Sequence, residues 1–449
     1  MITVEKKEGL SLKISHVIQE SKDRDLDIYL FIPGELGISS DIISESEFYY
    51  SSIVGKRTYY SDKTLLPLVH SRLAQRGRLS SEQYRLSLSL YAYQYAIALE
   101  KAVEQLNETD REDITTTEIE DAIELALDIL KRLRRSVPYD DQLKRYYANI
   151  DNYLSWFTEQ RFLSLVAHLP RNQDYAEIKA RLITVCERET QHRIEKSYNS
   201  KKARNDATRM SNKMRLLRRL IEFPVTMKEK TIIMGKNMKR AVKGGATGIV
   251  MVFVTITAIQ ARGFLGEITA SFIIAMSILY AMREIFKDDL RDAMWSWLRK
   301  GKPKWRKQFS DPTTNRLIGR QLEWLEYKGY NDLSQDVQKV RKGRVSQKEE
   351  VVLHYKSQTR MATTKFMSGY EQTRETLMFD LRPMSRLMAK GSQKIYRLKD
   401  GQVSKEAVEK RHLINLITKE INEDNSVSIQ RWKVIMNRSK IVDIEEITS

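Results

Sequence analysis

The chain of 449 residues carries one cysteine, Cys186. An intramolecular disulfide is therefore excluded, and so is a zinc or iron–sulfur centre built on clustered cysteines. Low-complexity tracts are absent. With 41% hydrophobic residues and 21 tyrosines the chain can build packed cores, which argues against extended disorder. The opening residues, MITVEKKEGLSLKISHVIQE, lack the unbroken apolar stretch of a secretory leader, so none is expected.

Chemical signatures are missing as well. The chain has no Walker P-loop, H-E-x-x-H, G-x-S-x-G or kinase motif set, and no cofactor is expected. Its six histidines, His16, His70, His168, His192, His354 and His412, are scattered. Only Glu189 with His192 and Glu409 with His412 have the spacing that places two metal ligands on one helix face. One pair lies in a helical pattern and the other in an expected strand, so no metal centre is expected. Cys186, inside the helical LITVCERETQH, reads as a small core residue rather than a nucleophile.

What the chain does have is one long apolar island, Gly248 to Met282, inside a sequence of mean hydropathy −0.50 and 30% charged residues. From Gly244 to Ala261 about eighteen residues carry no charge, roughly 27 Å as helix, close to the ~30 Å hydrocarbon thickness. A second uncharged run from Ile268 to Met282 follows a link containing Arg262 and Glu267. The pattern predicts a transmembrane helical hairpin over 244–282. Two soluble alternatives remain: a buried strand over the β-branched IVMVFVTIT, or two central helices of a soluble bundle. Gly244, Gly248, Ala270, Ser271 and Ala275 supply small residues for close helix packing, with Gly244 and Gly248 at the small-xxx-small spacing.

Charge places the rest. Net charge is +18, and between Lys201 and Lys243 fourteen Lys or Arg face three acids, Asp206, Glu222 and Glu229. Basic flanks on both sides of the hairpin predict that both termini are cytoplasmic. Lys236, Lys239, Arg240, Lys243, Trp295, Trp297, Arg299, Lys300 and Trp305 form a candidate aromatic and basic collar for anionic lipid headgroups.

The expected fold is mainly α with a smaller β-rich part: an N-terminal helical bundle with a small β cap, the hairpin, and a C-terminal antiparallel β meander. The expected divisions are a small α/β cap over 1–60, a helical bundle over 61–200, basic amphipathic approach helices over 201–243, the hairpin over 244–282, juxtamembrane helices over 283–345 and a β-rich domain over 346–449. LSLKISHVIQ and LDIYLFIPGELGI read as strands. Ser80 and Gln83 form a capping box ahead of a long helix. TNRLIGRQLEWLEYKGYNDLSQDVQKVRKG reads as helical, and KRHLINLITKEI, VSIQRWKVIM and KIVDIEEI as a three-stranded meander.

Function follows from this plan as an integral membrane protein of two passes, at an inner or plasma membrane, whose cytoplasmic parts sense, recruit or act on a protein partner. A homo-oligomer is compatible with it. One alternative is a membrane-associated nuclease or hydrolase with a motif-free site drawing on Asp380, Glu409 or His412. The other is a soluble, basic nucleic-acid-binding protein.

Overall fold

The computed structural model describes residues 2–7, 9–18, 23–60, 80–108, 115–170, 172–265, 270–341, 351–362, 372–388, 392–399, 402–421 and 426–447. The chain opens with β1 (Ile2–Lys7), β2 (Ser11–Ile18) and β3 (Arg24–Ile32), then α1 (Glu45–Ser52) and β4 (Ile53–Tyr60). Helices follow: α2 (Ser81–Glu108), α3 (Thr116–Arg134), α4 (Asp141–His168), α5 (Ala176–Glu195), α6 (Lys201–Arg204) and α7 (Ala207–Glu222). Next come β5 (Lys228–Ile233), two long helices, α8 (Lys236–Leu265) and α9 (Ala270–Arg299), and β6 (Trp305–Ser310). The remainder is β7 (Leu317–Gly329), α10 (Gln335–Arg341), β8 (Val351–Met361), β9 (Gln372–Asp380) and α11 (Arg382–Ser385), then β10 (Ser392–Lys399), β11 (Gln402–Glu409), β12 (His412–Ile421), β13 (Val427–Met436) and β14 (Ile441–Ile447).

Two antiparallel sheets face each other. The larger has the order β14-β13-β12-β3-β8-β7-β6-β5 and the smaller β1-β2-β9-β4. One core joins them, with Leu12 and Ile14 of β2 and Leu377 of β9 meeting Leu26, Ile28 and Leu30 of β3, Leu353 of β8 and Leu416 of β12. The other face of β3 is covered too. There Tyr29 and Phe31 pack with Val337 of α10, which explains why LDIYLFI is apolar without alternation. The expected meander exists as β12, β13 and β14, paired antiparallel in sequence order.

The first sixty residues do not stand alone. β3 pairs with β8 on one side and β12 on the other, and β2 and β4 both pair with β9. Strands assigned by sequence to an N-terminal cap and to a C-terminal domain therefore share sheets, because each half buries its apolar face only against the other.

The bundle packs Leu99, Ile123, Leu154, Phe162 and Leu182 at its centre. Its long first helix carries the expected capping box: Ser80 N donates to Gln83 Oε1 at 3.1 Å and Gln83 N to Ser80 Oγ at 3.3 Å. Glu189 and His192 do share a helix face, but they close on an ion network. Arg134 holds Glu189 at 2.6 Å and Asp151 at 3.2 Å, while His192 lies 2.8 Å from Asp151.

Three expectations are corrected. Residues 317–329 form strand β7 rather than a helix, since its inward positions include the polar Gln321 and Glu323, which hide the period of two from a hydrophobic count. Within the basic approach, 228–233 is an edge strand rather than a helix. The amphipathic α7, whose basic face suggests rest against anionic headgroups, turns Met214, Leu217 and Ile221 into the bundle core, so its apolar stripe is already covered by protein.

The inward polar residues of β7 belong to a buried layer between the sheets. Lys307 on β6 lies 3.2 Å from Glu229 on β5 and 3.2 Å from Glu323 on β7, and the Tyr355 hydroxyl donates to Glu323 at 2.6 Å. Arg57 meets Glu375 at 2.8 Å, which also accepts from Gln321 at 2.8 Å. A buried charge is tolerated when paired and hydrogen-bonded in this way.

Candidate membrane hairpin and its basic foot

The hairpin is an insertion between two neighbouring strands. Its two ends leave β5 and β6, which run antiparallel with Ile233 opposite Trp305, and Met234 N donates to Lys304 O at 3.0 Å just beyond that pair. Gly235 then turns the chain into α8 with φ +89°, a conformation that strains any residue with a Cβ.

α8 is long and apolar enough to cross a membrane: within Lys236–Gly263 a stretch of 18 residues reaches a mean hydropathy of 1.7, and only 17% of that stretch is buried. The described residues of the island are helical, and IVMVFVTIT lies within α8, which removes the buried-strand alternative. Low burial also separates it from a soluble core helix. Phe253 is 66% exposed, Ile259 67% and, on α9, Ile274 62%, whereas soluble surfaces seldom leave so large a contiguous apolar patch uncovered.

The seam between the helices is not where the glycines lie. Val242, Ala246 and Val250, four residues apart, are buried against α9, with Ala246 wholly enclosed. A Cβ added at Gly244, Gly245 or Gly248 would meet nothing within 4 Å, so the expectation that Gly244 and Gly248 close the hairpin is corrected. They occupy its outer face. Ala270 is exposed, Ala275 is half-buried, and the side chain of Ser271 lies outside the described residues.

The two apolar runs are out of register. Lys239 Nζ sits 5.8 Å from the Trp295 ring centroid, and one cavity of about 500 Å³ is lined by Ile249, Val250 and Phe253 of α8 with Phe286, Asp289 and Leu290 of α9. Residues 244–252 of α8 thus stand beside the charged segment Arg283–Arg291. That segment is partly self-neutralised, since Arg291 pairs with Asp288 at 2.8 Å and Lys287 pairs with Glu284. Above Val254 α8 is uncharged as far as Ala261, where Arg262 follows, and on α9 the uncharged zone runs from Ala270 to Met282, about thirteen residues or roughly 20 Å.

The nine collar residues divide. Lys236, Lys239, Trp295, Arg299, Lys300 and Trp305 come together around a cavity of about 790 Å³ at the foot of the hairpin. Arg240 and Lys243 are exposed elsewhere on α8, and Trp297 is 77% exposed. Trp305 is corrected outright: only 2% of it is exposed. Its indole stacks on Tyr49 with centroids 3.7 Å apart and donates to the Tyr50 hydroxyl at 3.1 Å. Trp305 is a packed wall residue of the cavity rather than part of an exposed collar. Lys304, which the sequence places beside the collar, Gly235 and Lys328 also line the foot cavity, and Lys328 escaped the sequence analysis because β7 was read as a helix.

The tail residues considered for catalysis do not converge. Asp380 is held by Arg382, Glu409 accepts from Asn437 at 2.6 Å, and His412 Nδ1 lies 2.7 Å from Glu35. Among the described residues no group of three or more His, Cys, Asp or Glu could hold a metal ion. Cys186 is buried in the bundle, where desolvation and nearby Glu159 push its thiol up to about 11, so it is a poor nucleophile at neutral pH. The chain matches no family model, no curated protein and no solved structure.

Proposed function

We propose that this is a membrane-anchored protein whose helical hairpin enters the bilayer and returns to the side it left, holding the sheets and bundle at that surface to sense, recruit or act on a partner. One observation carries the reading: a pair of antiparallel helices projects from an otherwise well-packed body and exposes apolar side chains around its distal part. Water is an unfavourable neighbour for that surface, and lipid is a favourable one. The excess of Lys and Arg on the body side supports a cytoplasmic body.

Carbonate extraction of membranes tests the anchor. The full chain is expected in the pellet. A variant with an Asn-Gly turn in place of residues 236–302 keeps β5 paired with β6 and is expected in the supernatant. Release of the full chain by carbonate would remove the proposal.

The register offset favours a second reading of depth. An uncharged zone of roughly 20 Å on α9, cut short on α8 by Arg262, is about two-thirds of the ~30 Å hydrocarbon, which suits a re-entrant hairpin better than two complete passes. Gly263→Cys in a Cys186→Ala background decides between them. Labelling of the tip by an impermeant maleimide from the far side means two passes, and protection from both sides means re-entry.

A further inference from the structure

We propose that the cavity at the foot of the hairpin binds a phosphate-bearing ligand, either a free phosphorylated solute or the headgroup of an anionic phospholipid. The site stands apart from the membrane reading, and only its lipid source rests on that reading.

The cavity of about 790 Å³ lies between the start of α8, the end of α9 and the edge formed by β6 and β7. Six cations line it, against two carboxylates, Glu45 and Glu326. Those two are already engaged: Glu45 pairs with Lys304, and Glu326 lies 3.9 Å from Lys328. Lys236, Lys239, Arg299 and Lys300 form no ion pair among the described residues.

Two of these cations share one aromatic ring. Lys239 Nζ lies 5.8 Å and Arg299 Cζ 5.5 Å from the same Trp295 ring centroid, so one indole steadies two like charges that otherwise repel. Arg299 spends one donor on Lys304 O at 3.3 Å. Partial burial with no carboxylate beside it pulls Arg299 below its ordinary pKa. Six cations around a cavity with two carboxylates in its lining, and Asp292 near Lys239, leave an excess of positive charge that an incoming anion stabilises.

The wall itself is built to leave room. A Cβ at Gly235 would come within 2.5 Å of Arg299 Nη1 and 3.2 Å of the Trp295 ring. Phosphate suits the donors, because a planar guanidinium binds two of its oxygens at once and lysines add point charges. The two sources differ in reach. Met282 to Trp295 spans about thirteen residues of α9, roughly 20 Å, so a headgroup reaches the cavity only where the hairpin tilts or the headgroup extends well above the bilayer.

The test is titration calorimetry on the full chain in uncharged dodecyl maltoside micelles. The probes are inorganic pyrophosphate for the solute source and dioctanoyl phosphatidic acid for the lipid source, with dioctanoyl phosphatidylcholine as the zwitterionic control. One saturable site for either anionic probe is expected, and the tighter of the two assigns the source. Lys239→Gln and Arg299→Gln are each expected to weaken it by about tenfold, the loss of one charge-assisted contact. Lys239→Arg should retain it. Arg240→Gln and Lys243→Gln, on the same helix but away from the cavity, should leave it unchanged. No saturable binding of either probe would overturn the proposal, as would equal weakening by the Arg240 and Lys239 variants, which would reduce the effect to general basicity. Carbonate extraction of the Lys239 variant remains an independent reading, because the anchor does not depend on this cavity.

Discussion

Replacing Lys307 with methionine removes the ammonium that ties β5, β6 and β7 together. Its Nζ lies 3.2 Å from both Glu229 Oε1 and Glu323 Oε1, and Glu323 is wholly buried. Burial pushes the Glu323 carboxyl above its ordinary range, and Lys307 with the hydroxyls of Tyr355 and Tyr49 only partly offsets this. Removing the lysine leaves a buried carboxylate with two tyrosine donors and no cation. The expected cost is about 3–5 kcal/mol, the usual result of breaking a buried pair from one side. Glu323→Gln alone should cost about 1–2 kcal/mol, because the tyrosines keep an acceptor and Lys307 keeps Glu229. In the double variant the orphaned charge is gone, so its cost should fall short of the sum of the single costs by about 2 kcal/mol. The Lys307→Met penalty also has a sign in pH: a raised folded-state carboxyl loses stability as pH rises, so the penalty should grow between pH 5 and 8. Urea unfolding of the full chain in detergent, followed by near-ultraviolet circular dichroism, measures all three variants. Additive costs, or a pH-independent penalty, would refute the account of this layer.

Other expectations follow from single contacts. Glu375 and Asp151 are pushed up by burial, but Arg57 beside Glu375, and the His192 hydrogen bond with Arg134 beside Asp151, hold each below its ordinary value, and burial holds His16 below its own. All three contributions are present at neutral pH and lost on acidification, so melting should fall from about pH 6.5 downward through His16 and further below about pH 4.5 through the carboxyls, with His16→Gln flattening the first part. Ala246→Leu should destabilise the hairpin by about 1–3 kcal/mol through overpacking, while Gly248→Leu on its open face should change it by less than about 0.5 kcal/mol; helix-to-helix crosslinking of the two variants compares them. Cys186 should resist iodoacetamide at pH 7.5 until urea opens the bundle, and rapid labelling of the native chain would contradict its place in the core.

Much of the local structure was legible because local chemistry set it. The Ser80–Gln83 box, the alternation of β2 and the turn-bounded runs of β12 to β14 each state their element within a few residues. What was not legible depends on partners distant in sequence. β7 looks helical until Gln321 and Glu323 are seen to face Glu375 and Lys307, and Trp305 looks like an interface residue until Tyr49, some 250 positions earlier, is found stacked on it. The glycines misled for a related reason: spacing says that Gly244 and Gly248 share a face, but only the placement of α9 says which face is covered. At the foot cavity, Lys236, Lys239, Trp295, Arg299, Lys300, Lys304 and Trp305 were visible as residues, while Lys328 of β7 was not.

The attachment of the hairpin to adjacent strands has a mechanical consequence. Both helices leave the same end of the β5–β6 ladder, at the rung Ile233–Trp305. A pull that spreads or lifts the helices loads that ladder in peeling mode, one rung at a time, rather than in shear across all rungs together. The stack of Trp305 on Tyr49 and the grip of Lys304 on Glu45 sit at this first rung, where they act as a latch between the lever and the body. Bilayer tension or lateral pressure on the hairpin would therefore be felt first by α1.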